Sequence, residues 1–143
     1  MKKIYFACSI AGGRDYAFVY KDVVEVIKKS GVEVMGELFA DPELEPGRGA
    51  GVGSTPREVW KRDTVWLDQA DAVIAEATKP SLGVGYQIAR AEALNKPVLV
   101  LFYKKSVEQF SWMISGSPKI KTVEYAEYAE TKKAIKEFIA KLG

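Results

Sequence analysis

The sequence predicts a three-layer α/β fold, a flavodoxin-like five-stranded parallel sheet flanked by helices, with residues 1–143 forming a single domain. Three observations carry that expectation. Apolar runs of strand length alternate with amphipathic stretches of helix length, the order that right-handed strand–helix–strand crossovers require. Two runs, residues 72–77 and 97–103, are almost uninterrupted in apolar character, as strands covered on both faces must be. Glycine-bearing loops follow the first and third runs. In a flavodoxin-like strand order those two loops meet beyond the carboxyl ends of the strands, where such sheets bind ligands.

Residues 2–7 make the first apolar and aromatic run and lead into CSIAGGRD, a loop in which Gly12 and Gly13 let the backbone bend. Val19, Val23, Val26 and Ile27 recur at helical spacing across residues 16–30, and Gly31 stops that helix. Residues 32–39 alternate and then turn apolar, which predicts a second strand. Residues 40–54, with Pro42, Pro46 and four glycines, form a long loop. Such a connection is either a lid or binding loop, or a plain surface excursion. Thr55, Pro56 and Glu58 spell a capping box with proline at the first helical position, opening a helix to about Gln69. Its apolar stripe is Val59, Trp60, Trp66, Leu67 and Ala70, and Asp63 sits inside it. A carboxylate in that company must be paired, protonated or turned toward a ligand cavity. An ion pair with a nearby Lys or Arg and a functional role both meet that demand.

The stretch ADAVIAEATKPSLGVGYQIAR, residues 70–90, joins a buried strand to a turn containing Ser81, Gly83 and Gly85, then to a helix through Ile88, Ala89, Ala91 and Leu94. Unpaired N–H groups and the positive end of the helix dipole would suit phosphate or carboxylate there. The same glycines would also permit tight packing of helix on strand. Residues 97–103 predict a buried strand, residues 107–114 a helix through Val107, Phe110 and Ile114, residues 121–125 a short edge strand, and residues 131–142 a closing amphipathic helix.

The formal net charge of +2 comes from 21 basic and 19 acidic residues well mixed along the chain, so no tract tracks a nucleic-acid backbone and no polymer partner is expected. Histidine is absent, which removes the commonest general base and transition-metal ligand. Acid–base chemistry then falls to carboxylates or tyrosine, and neither metal nor cofactor is expected. The single cysteine, Cys8, has no internal disulfide partner and fits a reducing compartment. No run approaches the roughly 20 apolar residues that span a bilayer, and no signal-like segment precedes the first strand. A cytoplasmic location without a membrane partner is the expectation.

Three motifs taken together, YFACSIAGGR, KRDTVWLDQAD and PSLGVGYQIARA, resemble those of the 2'-deoxynucleoside 5'-phosphate N-hydrolases, a branch of the nucleoside 2-deoxyribosyltransferase superfamily. The corresponding family strings are YFCGSIRGGR, EQDLxWLQQAD and PSLGVGYELGRA. The resemblance runs from Tyr5 to about Ile114, and three separated motifs in one order argue against chance. It implies cleavage of the N-glycosidic bond of a deoxynucleoside 5'-monophosphate to free base and 2-deoxyribose 5-phosphate. It also implies that Asp63 is the acid–base group beside the base and that Tyr5 supports the site. Ser9, Ser81 and Gly83 match phosphate-loop positions, within a substrate-binding loop of Cys8, Ser9, Ile10, Ala11, Gly12, Gly13 and Arg14. Ser111 matches a serine that reaches the phosphate from the other subunit of a homodimer, with Trp112 the better interface candidate and Phe110 and Met113 ordinary core residues. The superfamily's deoxyribosyltransferases carry aspartate where Ser81 stands; a serine hydroxyl can donate to a 5'-phosphate that an aspartate would repel.

Three departures qualify the implied activity. Gln87 occupies the place of the family's catalytic glutamate and cannot supply its negative charge. The chain is then an engineered substrate trap, a naturally inactive binder, or an enzyme that recruits another carboxylate such as Glu76 or Glu92, and the otherwise intact site favours the first. Ala11 stands where an arginine is usual, leaving Arg14 as the neighbouring cation, and no histidine is available near Glu37 and Leu38 for the family's Glu-His pair. Deoxyribosyl transfer, hydrolysis of a ribonucleotide such as CMP, and binding without turnover are the competing functions.

Overall fold

The computed structural model describes residues 1–10, 16–44, 55–106 and 110–143. Five strands, β1 (Lys3–Cys8), β2 (Glu33–Met35), β3 (Ala72–Glu76), β4 (Val98–Tyr103) and β5 (Ile120–Tyr125), pair in the order β2-β1-β3-β4-β5. Every pairing is parallel. This is the flavodoxin-like order, and it places the switch point between β1 and β3. The helices are α1 (Ala17–Lys29), α2 (Pro56–Gln69), α3 (Leu82–Ala93), the single turn α4 (Trp112–Ser115) and α5 (Tyr128–Ala140). Among the described residues no helix is long and apolar enough to cross a membrane.

The central strands are apolar because they are covered on both faces: every residue of β3, and all but one terminal residue of β1 and of β4, is buried. β5 is an edge strand, as expected, and exposes Lys121 and Glu124, charges that discourage pairing with another chain. The predicted capping box is present: Thr55 Oγ1 accepts from the Glu58 amide at 3.2 Å, and Glu58 Oε2 accepts from the Thr55 amide at 3.1 Å.

Four local expectations are corrected. The second strand is only three residues long, because Gly36 turns the chain with φ +84° into a 3-10 turn over Glu37–Ala40. A Cβ at Gly36 would lie 2.8 Å from the Phe6 carbonyl oxygen. Gly36→Ala should therefore lower unfolding free energy by about 2–4 kcal/mol through left-handed strain and overpacking, measurable by urea denaturation. Trp60 does not join the core stripe of α2; it is 52% exposed and its Nε1 donates to Tyr86 Oη at 3.3 Å across to α3. Of the helix expected over residues 107–114, the described residues 110–114 contribute only to the single turn α4, and Phe110 lies before it, stacked face-on against Phe102 with ring centroids 4.2 Å apart; residues 107–109 lie outside the described residues. α5 begins earlier than expected, at Tyr128, whose hydroxyl donates to the Val19 carbonyl of α1 at 2.9 Å.

Candidate functional site

Cys8 and Glu76 are register partners at the carboxyl ends of β1 and β3. The segment after β1 and the turn after β3 therefore leave the sheet side by side. Cys8 and Ser9 are buried and Ile10 is half-buried; Cys8 Sγ donates to the Phe39 carbonyl at 3.5 Å. Ala11, Gly12, Gly13 and Arg14, expected in this loop, lie outside the described residues, as does most of the long loop before α2.

On the β3 side Ser81 is the N-cap of α3. Its Oγ accepts from the Val84 amide at 3.3 Å, and its carbonyl accepts from the Gly85 amide at 3.1 Å. Gly83 and Gly85 are thus inside the first turns of α3 rather than in a loop before it. The amides of Leu82 and Gly83 fall in the first helical turn, where no intrahelical acceptor exists. A Cβ at Gly85 would meet nothing within 4 Å, and one at Gly83 only Ser81 Oγ at 3.8 Å. Tight helix-on-strand packing therefore does not require these glycines, whereas their lack of side chains keeps the helix N-terminus open to an anion.

Tyr5, midway along β1, is fully buried, and its hydroxyl accepts a 2.8 Å hydrogen bond from Gln87 Nε2 in the second turn of α3. Asp63, from the middle of α2, is the carboxylate whose charge reaches Tyr5. Burial and that charge push the Tyr5 hydroxyl well above its ordinary range, which keeps it protonated. Burial likewise pushes Asp63 up, opposed by the hydrogen bond and charge of Arg62. Three elements thus contribute a tyrosine, an amide hydrogen-bonded to it and a carboxyl whose charge reaches it.

Arg62 was not singled out by sequence reasoning beyond the allowance for an ion pair. Its Nε donates to Asp63 Oδ1 at 2.8 Å, and the Asp63 side chain is only 14% exposed. The guanidinium lies over the rings of Trp66 and Phe39, 5.1 Å and 5.5 Å from their centroids. Phe39 in turn meets the Tyr5 ring edge-on at 6.4 Å. The ion pair expected as one reading of Asp63 is present. Replacing the Arg62 guanidinium with a neutral amide, Arg62→Gln, should raise the Asp63 pKa further, because the opposing cation is lost; titration of the Asp63 carboxyl carbon by NMR checks the direction.

The other carboxylates named as replacements for the missing glutamate are engaged elsewhere. Glu76 is fully buried among Thr78 and Tyr125. Glu92 lies in the last turn of α3, where it accepts from Ser117 Oγ. Neither is bonded to Tyr5 or Gln87. Among the described residues no group of three His, Cys, Asp or Glu side chains is arranged to hold a metal ion.

Ser111 is the N-cap of α4, with Oγ accepting from the Ile114 amide at 3.3 Å. It lines a cleft of about 560 Å³ whose opposite wall is the turn from Ala77 through Ser81 into α3. Phe110 packs inward as expected, but Met113 is exposed, contrary to its expected core role, because α4 is too short to turn that position onto the sheet. Trp112 is exposed beside it.

The family profile described as "Nucleoside 2-deoxyribosyltransferase" matches residues 4–121. The chain belongs to that family. Its relatives include the 5-hydroxymethyl-dUMP N-hydrolase of Mus musculus, 43% identical over 127 residues, covering 89% of this chain and 72% of the relative. The Rattus norvegicus protein of the same name is 43% identical over 128 residues, covering 89% and 77%. The solved CMP N-glycosidase of Clostridium botulinum has a TM-score of 0.66 at 18% identity, with 94% of this chain and 98% of that chain covered, and shares the fold. The matched span includes β1, α2 and α3, the elements that carry Tyr5, Asp63 and Gln87.

Proposed function

We propose that this chain is built for hydrolysis of the N-glycosidic bond of 2'-deoxynucleoside 5'-monophosphates, giving free base and 2-deoxyribose 5-phosphate. As written, with Gln87, it holds substrate rather than turning it over rapidly. The observation that carries the reading is the 2.8 Å bond from Gln87 to Tyr5 beside the half-buried Asp63, in a chain 43% identical to proteins named 5-hydroxymethyl-dUMP N-hydrolase.

In this reading the phosphate lies against the first turn of α3, taking hydrogen bonds from Ser81 and the Gly83 amide and facing Ser9 and the loop of Ala11, Gly12, Gly13 and Arg14. A serine hydroxyl that accepts from the Val84 amide still has its own proton to donate. Asp63 protonates or anchors the departing base, for which a carboxyl held protonated to higher pH is suited. Tyr5 holds residue 87 beneath the sugar, where a carboxylate would stabilise an oxocarbenium-like transition state. The decisive test is product analysis: Gln87→Glu incubated with each of the four common deoxynucleoside monophosphates should release free base and sugar phosphate from at least one. Release of neither from any of them rejects the reading.

A second reading is binding without turnover, favoured by the amide itself. It predicts tight deoxynucleoside monophosphate binding by the unaltered chain with no cleavage. A second base in the assay, and matched ribonucleotides, separate hydrolysis from deoxyribosyl transfer and from CMP-type hydrolysis.

The working unit in this reading is a cytoplasmic homodimer in which Ser111 reaches the phosphate of the neighbouring subunit. Supporting it, Leu82, Trp112 and Met113 expose large apolar side chains next to Ser111 and the phosphate turn. Sedimentation at micromolar concentration should give a dimer that Trp112→Glu converts to monomer, with nucleotide affinity falling in step. A monomeric unaltered chain would count against Ser111 acting across subunits.

A further inference from the structure

Glu76 is a buried carboxylate that the proposed reaction does not use. It is fully inaccessible, at the carboxyl end of β3, immediately before the turn that leads into α3. Three donors converge on it. The Thr78 amide donates to Oε1 at 2.7 Å, the Thr78 hydroxyl to Oε2 at 2.9 Å, and the Tyr125 hydroxyl at the end of β5 to Oε2 at 2.5 Å. Thr78 Oγ1 in turn accepts from the Tyr103 amide at the end of β4, 2.8 Å away.

The Tyr103 N–H donates to Thr78 Oγ1 and the Thr78 N–H to Glu76 Oε1, and with Glu76 ionised the Thr78 and Tyr125 hydroxyls both donate to Oε2, so a carboxylate at position 76 accepts three bonds and donates none. An amide of the same shape would turn an NH2 group toward donors. Burial pushes this carboxyl up from its ordinary range, while the bonds from Tyr125 and Thr78 oppose the shift.

The cluster's location gives it a consequence for ligand binding. Thr78 begins the turn that ends at Ser81, the N-cap of α3. Tyr103 is the last residue of β4, from which the chain goes on to Phe110 and Ser111. The turn from Thr78 to Ser81 is one wall of the 560 Å³ cleft, and Phe110 and Ser111 lie on the other. One buried carboxylate thus ties the Thr78 wall to the ends of β3, β4 and β5.

We propose that Glu76, acting through Thr78 and Tyr125, is a positioning residue that sets the phosphate-side wall of the site and so determines preference for a 5'-phosphorylated ligand over the bare nucleoside. This rests on the reading of the α3 N-terminus as the phosphate subsite. Glu76 does not touch substrate; it acts on the geometry of the turn that does.

The test compares deoxynucleoside 5'-monophosphate with the matching deoxynucleoside by calorimetry, with inorganic phosphate as competitor, for the unaltered chain, Glu76→Gln and Tyr125→Phe. Tyr125→Phe removes one donor and leaves Glu76 two bonds, so it tests the cluster even if Glu76→Gln folds poorly. The expected result is a fall of at least about tenfold in the monophosphate-to-nucleoside affinity ratio, and weaker competition by phosphate, with nucleoside affinity nearly unchanged. A purely structural role lowers the melting temperature and leaves that ratio alone, which would overturn the proposal. An unaltered chain showing no preference for the phosphorylated ligand would instead overturn the phosphate-subsite reading and this inference with it.

Discussion

Replacing Gln87 with glutamate is expected to raise the rate of deoxynucleoside monophosphate cleavage by at least about a thousandfold, as measured by single-turnover product formation. The geometry at position 87 already suits a carboxylate. Gln87 Nε2 donates to Tyr5 Oη at 2.8 Å. A glutamate placed there cannot donate, so the Tyr5 hydroxyl would turn and give its proton to the carboxylate. The contact survives with its polarity reversed, and the chief change is a negative charge where the proposed reading puts the anomeric carbon. Because that charge is valuable only when the sugar becomes cationic, kcat should rise far more than substrate affinity changes. Tyr5→Phe in the Gln87→Glu background should give back part of the gain by freeing the carboxylate's orientation. A change in dissociation constant with kcat unaltered would mean that residue 87 acts in binding alone.

In the same Gln87→Glu background, Asp63→Asn should reduce kcat by about 10²–10⁴-fold, the usual value of a positioned general acid. The pH dependence has a definite sign. Burial raises the Asp63 pKa in the folded protein, so the proton needed for the base is held to higher pH than an ordinary aspartate would hold it. The rate of the Gln87→Glu enzyme should fall as pH rises through that raised value, and Asp63→Asn should flatten this limb. The stability consequence runs oppositely to that of a favourably placed carboxylate. Between the ordinary carboxylate pKa and the raised one, the folded state binds more protons than the unfolded state, so stability falls as pH rises across that window. Asp63→Asn should remove this dependence. A melting temperature whose pH slope is the same with and without Asp63 would contradict the burial argument.

Several features of the fold were legible because they depend on neighbours in the chain. The capping box at Thr55 and Glu58 is a four-residue device, and it is present as read. The apolar runs that became β1, β3 and β4 carry their double-sided burial in their composition. Departures occurred where one residue's backbone or one distant contact overrode local pattern. Gly36 ended β2 because a positive φ brings the chain against the Phe6 carbonyl. Phe110, expected inside a helix, lies before α4 and stacks on Phe102. Trp60 left the α2 stripe for Tyr86 of α3.

The candidate site divides the same way. Asp63 drew notice by its company within one helix, and Ser81 with Gly83 by their place between strand and helix. The likeness of three motifs supplied the substrate class, which no periodicity contains. Arg62 and the Glu76 cluster were invisible as a unit, because their meaning lies in which side chains face them.

By itself, then, the amino-acid order determined the apolar runs of β1, β3 and β4, the capped start of α2 and a parallel sheet; these follow from periodicity, burial and backbone hydrogen bonding within short segments. Only the folded chain decided that Tyr5 would hold Gln87, 82 positions away, that Arg62 would pair with Asp63 above two aromatic rings, and that Glu76 would tie three strand ends together. The Tyr5–Gln87 and Tyr125–Glu76 bonds need the sheet to assemble first, since a hydrogen bond between side chains so distant in sequence contributes too little to overcome chain entropy until the surrounding core has already brought them together.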